Sequence, residues 1–203
     1  MYRFVLAMIM ALLSWPAMAG TIVVMGDSIG AGYGVAVDQS WVALLQQKLK
    51  QHGKPHVIRN ESISGDTSAG GLARIDAVLA RWQPAVVLLE LGGNDGLRGL
   101  SPAEMQANLT EIIRRCRAQG AKVLLLGMRI PPNYGKRYVD LFYGIYPQLA
   151  KALDVPLVPF ILESVALNPD MMQADGLHPN ALGQPEIVLT IWPHLLTVLA
   201  SVE

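Results

Sequence analysis

The stretch TIVVMGDSIGAGYG, from Thr21 to Gly34, runs from apolar and β-branched residues directly into a turn. An apolar run without alternation is typical of a strand buried on both faces, as in a parallel sheet. The run stops at GDSIG, residues 26–30, and two more glycines follow. This pattern predicts a strand that ends abruptly in a tight loop with Ser28 near its tip.

Four more short runs are predicted as strands, mostly for the same reason: His56–Asn60, Ala85–Leu91, Lys122–Gly127 and Val155–Val158. Amphipathic segments separate them, with apolar residues at helical spacing in residues 41–49 and 72–79. The alternation of strands and helices predicts a doubly wound, three-layer α/β/α domain around a five-stranded parallel sheet.

Three helix boundaries can also be predicted. Ser101-Pro102-Ala103-Glu104 is a capping box with proline at the first helical position, and Gly120 closes that helix. Two later helices are predicted over about 134–153 and about 181–199, the last with Pro193 inside it.

Residues 1–19, MYRFVLAMIMALLSWPAMA, have the composition of a secretory signal peptide. Arg3 precedes an apolar run, and the small-x-small triplet 17–19 ends the segment. The apolar run is shorter than the about 20 residues that a membrane-spanning helix needs. We therefore expect cleavage after Ala19, a single domain over residues 20–203, and a periplasmic or exported protein without a stable membrane anchor.

Composition excludes several classes of function. The chain balances 16 Lys and Arg against 16 Asp and Glu, which gives no reason to expect nucleic-acid binding. Cys116 is the only cysteine, so an internal disulfide and a cysteine metal cluster are excluded. We expect a monomer that needs neither a metal nor an organic cofactor.

Ser28 follows the first predicted strand and should lie at the carboxyl edge of the sheet, where ligands bind in such folds. Serine at this position could instead cap the following helix. The pattern G-x-S-x-G also matches the nucleophile elbow of α/β-hydrolases, but those enzymes place several strands before the elbow. A phosphate-binding P-loop lacks its lysine here.

A serine nucleophile needs a base, and the segment ADGLHPN offers one. Asp175 precedes His178 by three residues in a loop, so its carboxylate could hold the imidazole. The alternative is that Asp175 only caps the next turn. A metal site is disfavoured, because no second histidine or carboxylate cluster lies nearby in sequence.

Two other predicted strands end in loops that could stabilise an oxyanion. NESISGDTS contains Gly65, whose backbone N–H could point into the crevice, and LELGGNDGLRG contains Asn94, whose side-chain amide could donate. Taken singly, both are ordinary turn sequences.

The blocks GDSIGAGYG, SISGDTS, ELGGNDGLRG and DGLHPN together resemble the GDSL-type, or SGNH, hydrolase superfamily over nearly the whole segment 20–203. The resemblance implies a flavodoxin-like fold. It also implies Ser28 as nucleophile and His178 as base, oriented by Asp175. Gly65 and Asn94 would form the oxyanion hole with the Ser28 N–H. Ile replaces the leucine of the GDSL motif, a change that should preserve the turn.

ISGDTSAGGLARI, LELGGNDGLRGL and RIPPNYGKRY are similar to secreted bacterial thioesterases also described as lysophospholipases and arylesterases. The resemblance implies small-molecule carboxylic esters, acyl thioesters or lysophospholipids as substrates. Leu97 and Leu100, which follow Asn94, are candidates for contact with the acyl chain. An aromatic stripe on the helix predicted over about 134–153 could wall an acyl channel or belong to the core; its members are Tyr134, Tyr138, Phe142 and Tyr146.

Two other functions use the same loops. A carbohydrate acetyl esterase would apply the same serine chemistry to short acyl groups in a polar cleft. A non-catalytic flavodoxin-like domain would only bind a ligand at the strand ends. The serine, histidine and aspartate set argues against the second, and the apolar loop after Asn94 argues against the first.

The predicted signal peptide leads to a testable expectation about proteolytic processing. The mature protein should begin at Gly20, because Ala17-Met18-Ala19 is a signal-peptidase site. N-terminal sequencing of the protein purified from its source would test this. Soluble cytosolic protein that still begins at Met1 would contradict it.

Overall fold

The computed structural model describes residues 20–202. The predicted signal peptide and its cleavage site lie outside this range, apart from Gly20. The strands are β1 (Thr21–Gly26), β2 (Val57–Asn60), β3 (Val86–Glu90), β4 (Lys122–Leu126) and β5 (Leu157–Val158). The helices are α1 (Ser28–Ala31), α2 (Trp41–Gln51), α3 (Ser68–Trp82), α4 (Gly93–Leu97), α5 (Pro102–Ala118), α6 (Lys136–Leu153) and α7 (Gln184–Leu199).

The five strands form one parallel sheet in the order β2-β1-β3-β4-β5, which confirms the predicted architecture. The three central strands β1, β3 and β4 are almost entirely buried, as their unbroken apolar sequences require. Edge strand β2 is mostly exposed, and Val57 illustrates this with 42% of its surface accessible.

Helices cover both faces of the sheet and complete the three layers. α2 packs with α7 on one face, and α3, α5 and α6 pack in sequence on the other. Each buries an apolar stripe, for example Leu45 and Leu49 of α2 and Ile75 of α3. The core is therefore continuous from the helices through the sheet.

Most predicted boundaries agree with the structure to within a few residues. Ser101 caps α5 by accepting the N–H of Glu104 over 3.4 Å, as the capping box predicts. Strand β5 contains only two residues because Pro156 has no N–H to donate and Pro159 follows directly. Helix α7 begins three residues later than predicted, and it continues through Pro193.

None of the helices within residues 20–202 is both long enough and apolar enough to cross a membrane.

Three of the predicted site residues lie in the loops that follow β1, β2 and β3. All parallel strands end at the same edge, so the Ser28, Gly65 and Asn94 loops meet there. The fold thus places three of the predicted site residues in adjacent loops.

Gly127 lies close to the backbone of Val158 and Pro159, and this contact allows a prediction about stability. A Cβ at Gly127 would overlap the carbonyl group of Pro159, and backbone cannot move aside cheaply. Gly127→Ala should therefore lower the melting temperature by the equivalent of about 1–3 kcal/mol. Gly144→Ala is the matched control, since a Cβ there meets only Gln148 Nε2 at 3.5 Å within α6. It should raise stability by up to about 1 kcal/mol. Equal melting temperatures for the two variants would contradict this packing.

Candidate active site

Ser28 is the first residue of α1, in the turn of residues 26–30, which we call the Ser28 turn. Asp27, not Ser28, caps the helix: its Oδ1 accepts the N–H of Ile29 over 3.0 Å. Asp27 therefore takes the capping role that the sequence analysis considered for the serine, and it holds the turn. The Ser28 hydroxyl is consequently available for another partner.

That partner is His178. Its Nε2 lies 2.8 Å from Ser28 Oγ, although the two residues are 150 positions apart in sequence. Its Nδ1 lies 2.7 Å from Asp175 Oδ2. The structure therefore brings together the serine, histidine and aspartate that the sequence analysis selected, in one hydrogen-bonded chain.

The Asp175 carboxylate performs both of the roles considered for it. Oδ1 accepts the backbone N–H groups of Leu177 and His178, and Oδ2 faces the imidazole. These hydrogen bonds, the His178 backbone N–H first, lower the pKa of Asp175 to about 2. An ionised carboxylate can only accept, so Nδ1 of His178 carries a proton, which leaves Nε2 as the nitrogen that can accept the Ser28 hydroxyl proton.

Two glutamines connect residues 172–183, which we call the His178 loop, to residues early in the chain. Gln173 Nε2 donates to Tyr33 O over 2.7 Å and to Pro179 O over 3.0 Å. Buried Gln184 accepts the N–H of Trp41 at the start of α2 and donates to Asn180 O over 3.2 Å. These contacts fix the distance between the His178 loop and the Ser28 turn.

Backbone donors lie beside the serine. Within residues 20–202, no acceptor takes the N–H of Ser28 or of Gly65. Gly65 has a φ of +83°, a conformation that favours glycine, and Arg98 donates to its carbonyl oxygen over 2.8 Å. Both N–H groups are therefore available to a ligand.

The Asn94 side chain is more constrained. Its amide nitrogen donates to Asp27 Oδ2 over 3.1 Å and to Asp66 O over 3.0 Å. An amide has two hydrogens, so both already have acceptors in the ligand-free protein. A ligand oxygen would compete with one of these acceptors for a hydrogen of Asn94.

A cavity of about 400 Å³ opens over these groups. Ser28, Gly65, Asn94 and His178 lie in its wall together with mainly apolar neighbours. The side chains that complete the wall include Ile29, Tyr33, Leu97, Met128, Arg129, Pro131, Leu162 and Leu177. The site thus offers a reactive serine at one end of a largely apolar space.

Comparison with known proteins identifies the family. The model of the GDSL-like lipase/acylhydrolase family matches residues 24–184. The chain belongs to this family. Esterase TesA of Pseudomonas aeruginosa is 51% identical over 190 residues, or 94% of each chain. The Escherichia coli protein named thioesterase 1/protease 1/lysophospholipase L1 is 50% identical over 171 residues, which cover 84% of this chain and 81% of that one. A crystal structure of TesA superposes with a TM-score of 0.86 at 52% identity, covering 88% of this chain and 99% of the other.

The acylhydrolase is therefore a serine hydrolase that cleaves esters and thioesters of small molecules, as predicted. The fold prediction is confirmed as well, since the sheet order and the TesA superposition agree.

Of the two leucines predicted to contact the acyl chain, one lines the cavity and the other does not. Leu97 is part of the cavity wall. Leu100 is not among the wall residues; 41% of its surface is exposed, and its carbonyl accepts a hydrogen bond from Tyr138 Oη over 2.8 Å. The difference arises because α4, which carries Asn94 and Leu97, ends at Leu97, so Leu100 lies beyond this helix.

The four aromatic residues predicted to share one helix are divided between two elements of the acylhydrolase: Tyr134 ends a short turn, and α6 begins after it at Lys136. Phe142 and Tyr146 are fully buried in the core. Tyr134 and Tyr138 donate to the carbonyl oxygens of Leu97 and Leu100, each over 2.8 Å. None of the four is among the wall residues of the cavity. The core interpretation is correct for Phe142 and Tyr146, whereas Tyr138 is only partly buried and Tyr134 is exposed.

Glu90 is a site residue that the sequence analysis did not select. It ends β3 and is fully buried directly beneath the Ser28 turn. The available signal was a carboxylate at the end of an otherwise apolar strand, which an apolar environment tolerates only with polar partners.

Within the described residues, no group of three His, Cys, Asp or Glu side chains is placed to hold a metal ion.

Proposed function

We propose that the acylhydrolase works by two-step acyl transfer through Ser28, His178 and Asp175. The observation that carries this is the hydrogen-bonded chain from Asp175 through both ring nitrogens of His178 to Ser28 Oγ. His178 removes the hydroxyl proton as Ser28 attacks an ester or thioester carbonyl. It then protonates the leaving group, and water discharges the acyl-enzyme with the roles reversed.

The tetrahedral intermediate places a negative charge on the former carbonyl oxygen, which needs donors. The N–H groups of Ser28 and Gly65 are available for it, and Asn94 supplies a third donor by sharing one of its hydrogens. Asp66 O is the acceptor that the oxyanion would replace, since Asp27 holds the other hydrogen. Such a donor set favours the intermediate over the uncharged substrate.

The cavity supports substrates with an apolar acyl chain. Leu97, Met128 and Leu162 give the wall an apolar surface on which an acyl chain would lose contact with water. Carboxylic esters, aryl esters, acyl thioesters and lysophospholipids all present such a chain. The apolar wall favours this function over a carbohydrate acetyl esterase, whose short acyl group would leave most of the space unused. The serine–histidine chain likewise favours it over a non-catalytic binding domain.

The cellular setting is also a proposal. The leader at residues 1–19 supports export to the periplasm or beyond, with a mature domain over residues 20–203. We expect the mature enzyme to act as a monomer on small-molecule substrates, without a nucleic-acid partner, a stable membrane anchor or a cofactor.

The mechanism gives His178 and Asn94 different tasks, which kinetics can separate. His178→Ala removes the base, so kcat should fall by several orders of magnitude. Asn94→Ala removes one of three donors and should lower kcat about 10²–10³-fold, or roughly 3–4 kcal/mol. KM should change little, because the interaction strengthens only as charge develops. Hydrolysis of a p-nitrophenyl ester measures both constants.

Asn108→Ala is the matched control for the asparagine variant. Asn108 is half-buried and donates to Ser68 Oγ over 3.0 Å, and neither residue lines the cavity. Its loss should leave kcat nearly unchanged. If Asn94→Ala kept full kcat and raised only KM, Asn94 would bind substrate and the oxyanion assignment would be wrong.

A further inference from the structure

One oxygen of Glu90 organises the backbone on both sides of Ser28. Glu90 Oε2 accepts the N–H of Asp27 over 3.1 Å and the N–H of Gly30 over 2.9 Å. The side chain needs space, which the glycines of the Ser28 turn provide. A Cβ at Gly26 would come within 2.5 Å of Glu90 Oε2 and 2.9 Å of Ser62 Oγ. The glycine next to Asp27 is therefore required by the carboxyl group beneath it.

The remaining polar groups of the turn are also held. Trp41 Nε1 donates to Ile29 O over 2.8 Å, and Asn60 Nδ2 donates to Gly30 O over 2.9 Å. With Ile29 N bound to Asp27, the Ser28 N–H is left for a ligand. Glu90 Oε2 accepts the N–H groups of Asp27 and Gly30, the residues on either side of Ser28 and Ile29.

The surroundings of Glu90 favour its neutral form. Its Oε1 is buried and has no hydrogen-bond partner among residues 20–202, whereas a carboxylate needs donors at both oxygens. Burial, followed by the charge of neighbouring Asp27, raises the pKa of Glu90 well above its usual range. Burial also raises the pKa of Asp27, but hydrogen bonds from the Ile29 amide and the Asn94 side chain oppose that rise. Asp27 accepts a hydrogen bond at each carboxylate oxygen, whereas Glu90 does so at only one, so Asp27 is the better site for a negative charge.

Other titratable groups face this pair from the surrounding elements. Tyr146 of α6 is buried near both carboxyl groups, and burial raises its pKa well above the usual range, so it stays neutral. Asp95 of α4 adds a negative charge near Tyr146, and Arg74 of α3 reaches Gly26 O over 3.4 Å. His178 acts on Asp27 through its charge when protonated. These groups do not offer Glu90 a direct counter-charge.

We propose that Glu90 is a positioning residue that acts as a neutral carboxylic acid. It holds the two amides that flank the nucleophile and leaves the negative charge on Asp27, whose Oδ2 orients the Asn94 amide. This inference rests on the proposed roles of Ser28 and Asn94.

Glu90→Gln and Glu90→Met separate this role from simple space filling. Glutamine keeps a neutral acceptor for both amides, so kcat at pH 7 should stay within about threefold of wild type. Methionine fills similar volume without an acceptor, so the turn should shift and kcat should fall about 10–100-fold, with KM within about twofold. Glu61→Gln is the matched control, because Glu61 is a half-buried carboxylate that also accepts a hydrogen bond, from Trp82 Nε1. It should leave kcat unchanged.

Stability as a function of pH tests the neutral form directly. Unfolded Glu90 is ionised above its usual pKa of about 4.3, while folded Glu90 keeps its proton to higher pH. Folding then takes up a proton, so this residue's contribution to stability is full below the unfolded pKa and declines as pH rises toward the folded pKa. Glutamine does not titrate. The melting temperature of Glu90→Gln relative to wild type should therefore increase from about pH 5 to about pH 8, by more than Glu61→Gln shows.

The outcomes are distinct. A melting-temperature difference that stays constant or falls with pH would show that Glu90 is ionised in the folded protein and overturn the proposal. Full kcat in Glu90→Met would overturn the positioning role, and if that variant does not fold, the pH dependence of Glu90→Gln decides. Ser28→Ala is measured in parallel. Retained activity there would refute the proposed function, whereas the stability profile still reports on Glu90 alone.

Discussion

The parallel pairing of β1 with β3, which places Gly26 opposite Glu90, is the contact on which the active site depends. Both strands are apolar on both faces, so an alternating pattern of apolar and polar residues cannot by itself fix their register. The hydrogen bonds from Asp27 and Gly30 to Glu90 form only in this register. The same contact therefore aligns the two central strands and shapes the turn that presents Ser28.

The carboxyl groups around the serine occupy opposite environments and are suited to opposite tasks. Asp175 lies in an exposed loop, where backbone N–H groups stabilise its charge and lower its pKa to about 2. It is therefore ionised at neutral pH and can orient the imidazole. Glu90 is fully buried, and its pKa is raised well above the usual range. Asp175 thus provides a negative charge at the solvent side of the site, and Glu90 provides a neutral hydrogen-bond acceptor beneath the Ser28 turn.

The sequence predicted the architecture and the reactive side chains because both leave local signals. Unbroken apolar runs indicate buried parallel strands, and Ser28, Asp175 and His178 lie in glycine-bounded loops. Contacts between distant elements leave weaker signals. Glu90 looked like the end of an apolar strand until the structure placed it beneath residues 60 positions away. The position of Leu100 depended on where α4 ends, and the competing acceptors of Asn94 depended on how three loops meet.

Covalent labelling of Ser28 tests the central claim most directly. A fluorophosphonate requires an activated serine and forms a stable bond with it. The wild-type enzyme should lose activity in proportion to the incorporation of one phosphonyl group per chain, and peptide mass spectrometry should place that group on Ser28. Labelling should be nearly lost in His178→Ala, because the hydroxyl is then unactivated. A phosphonyl group on another residue, or full ester hydrolysis after complete labelling of Ser28, would contradict the mechanism.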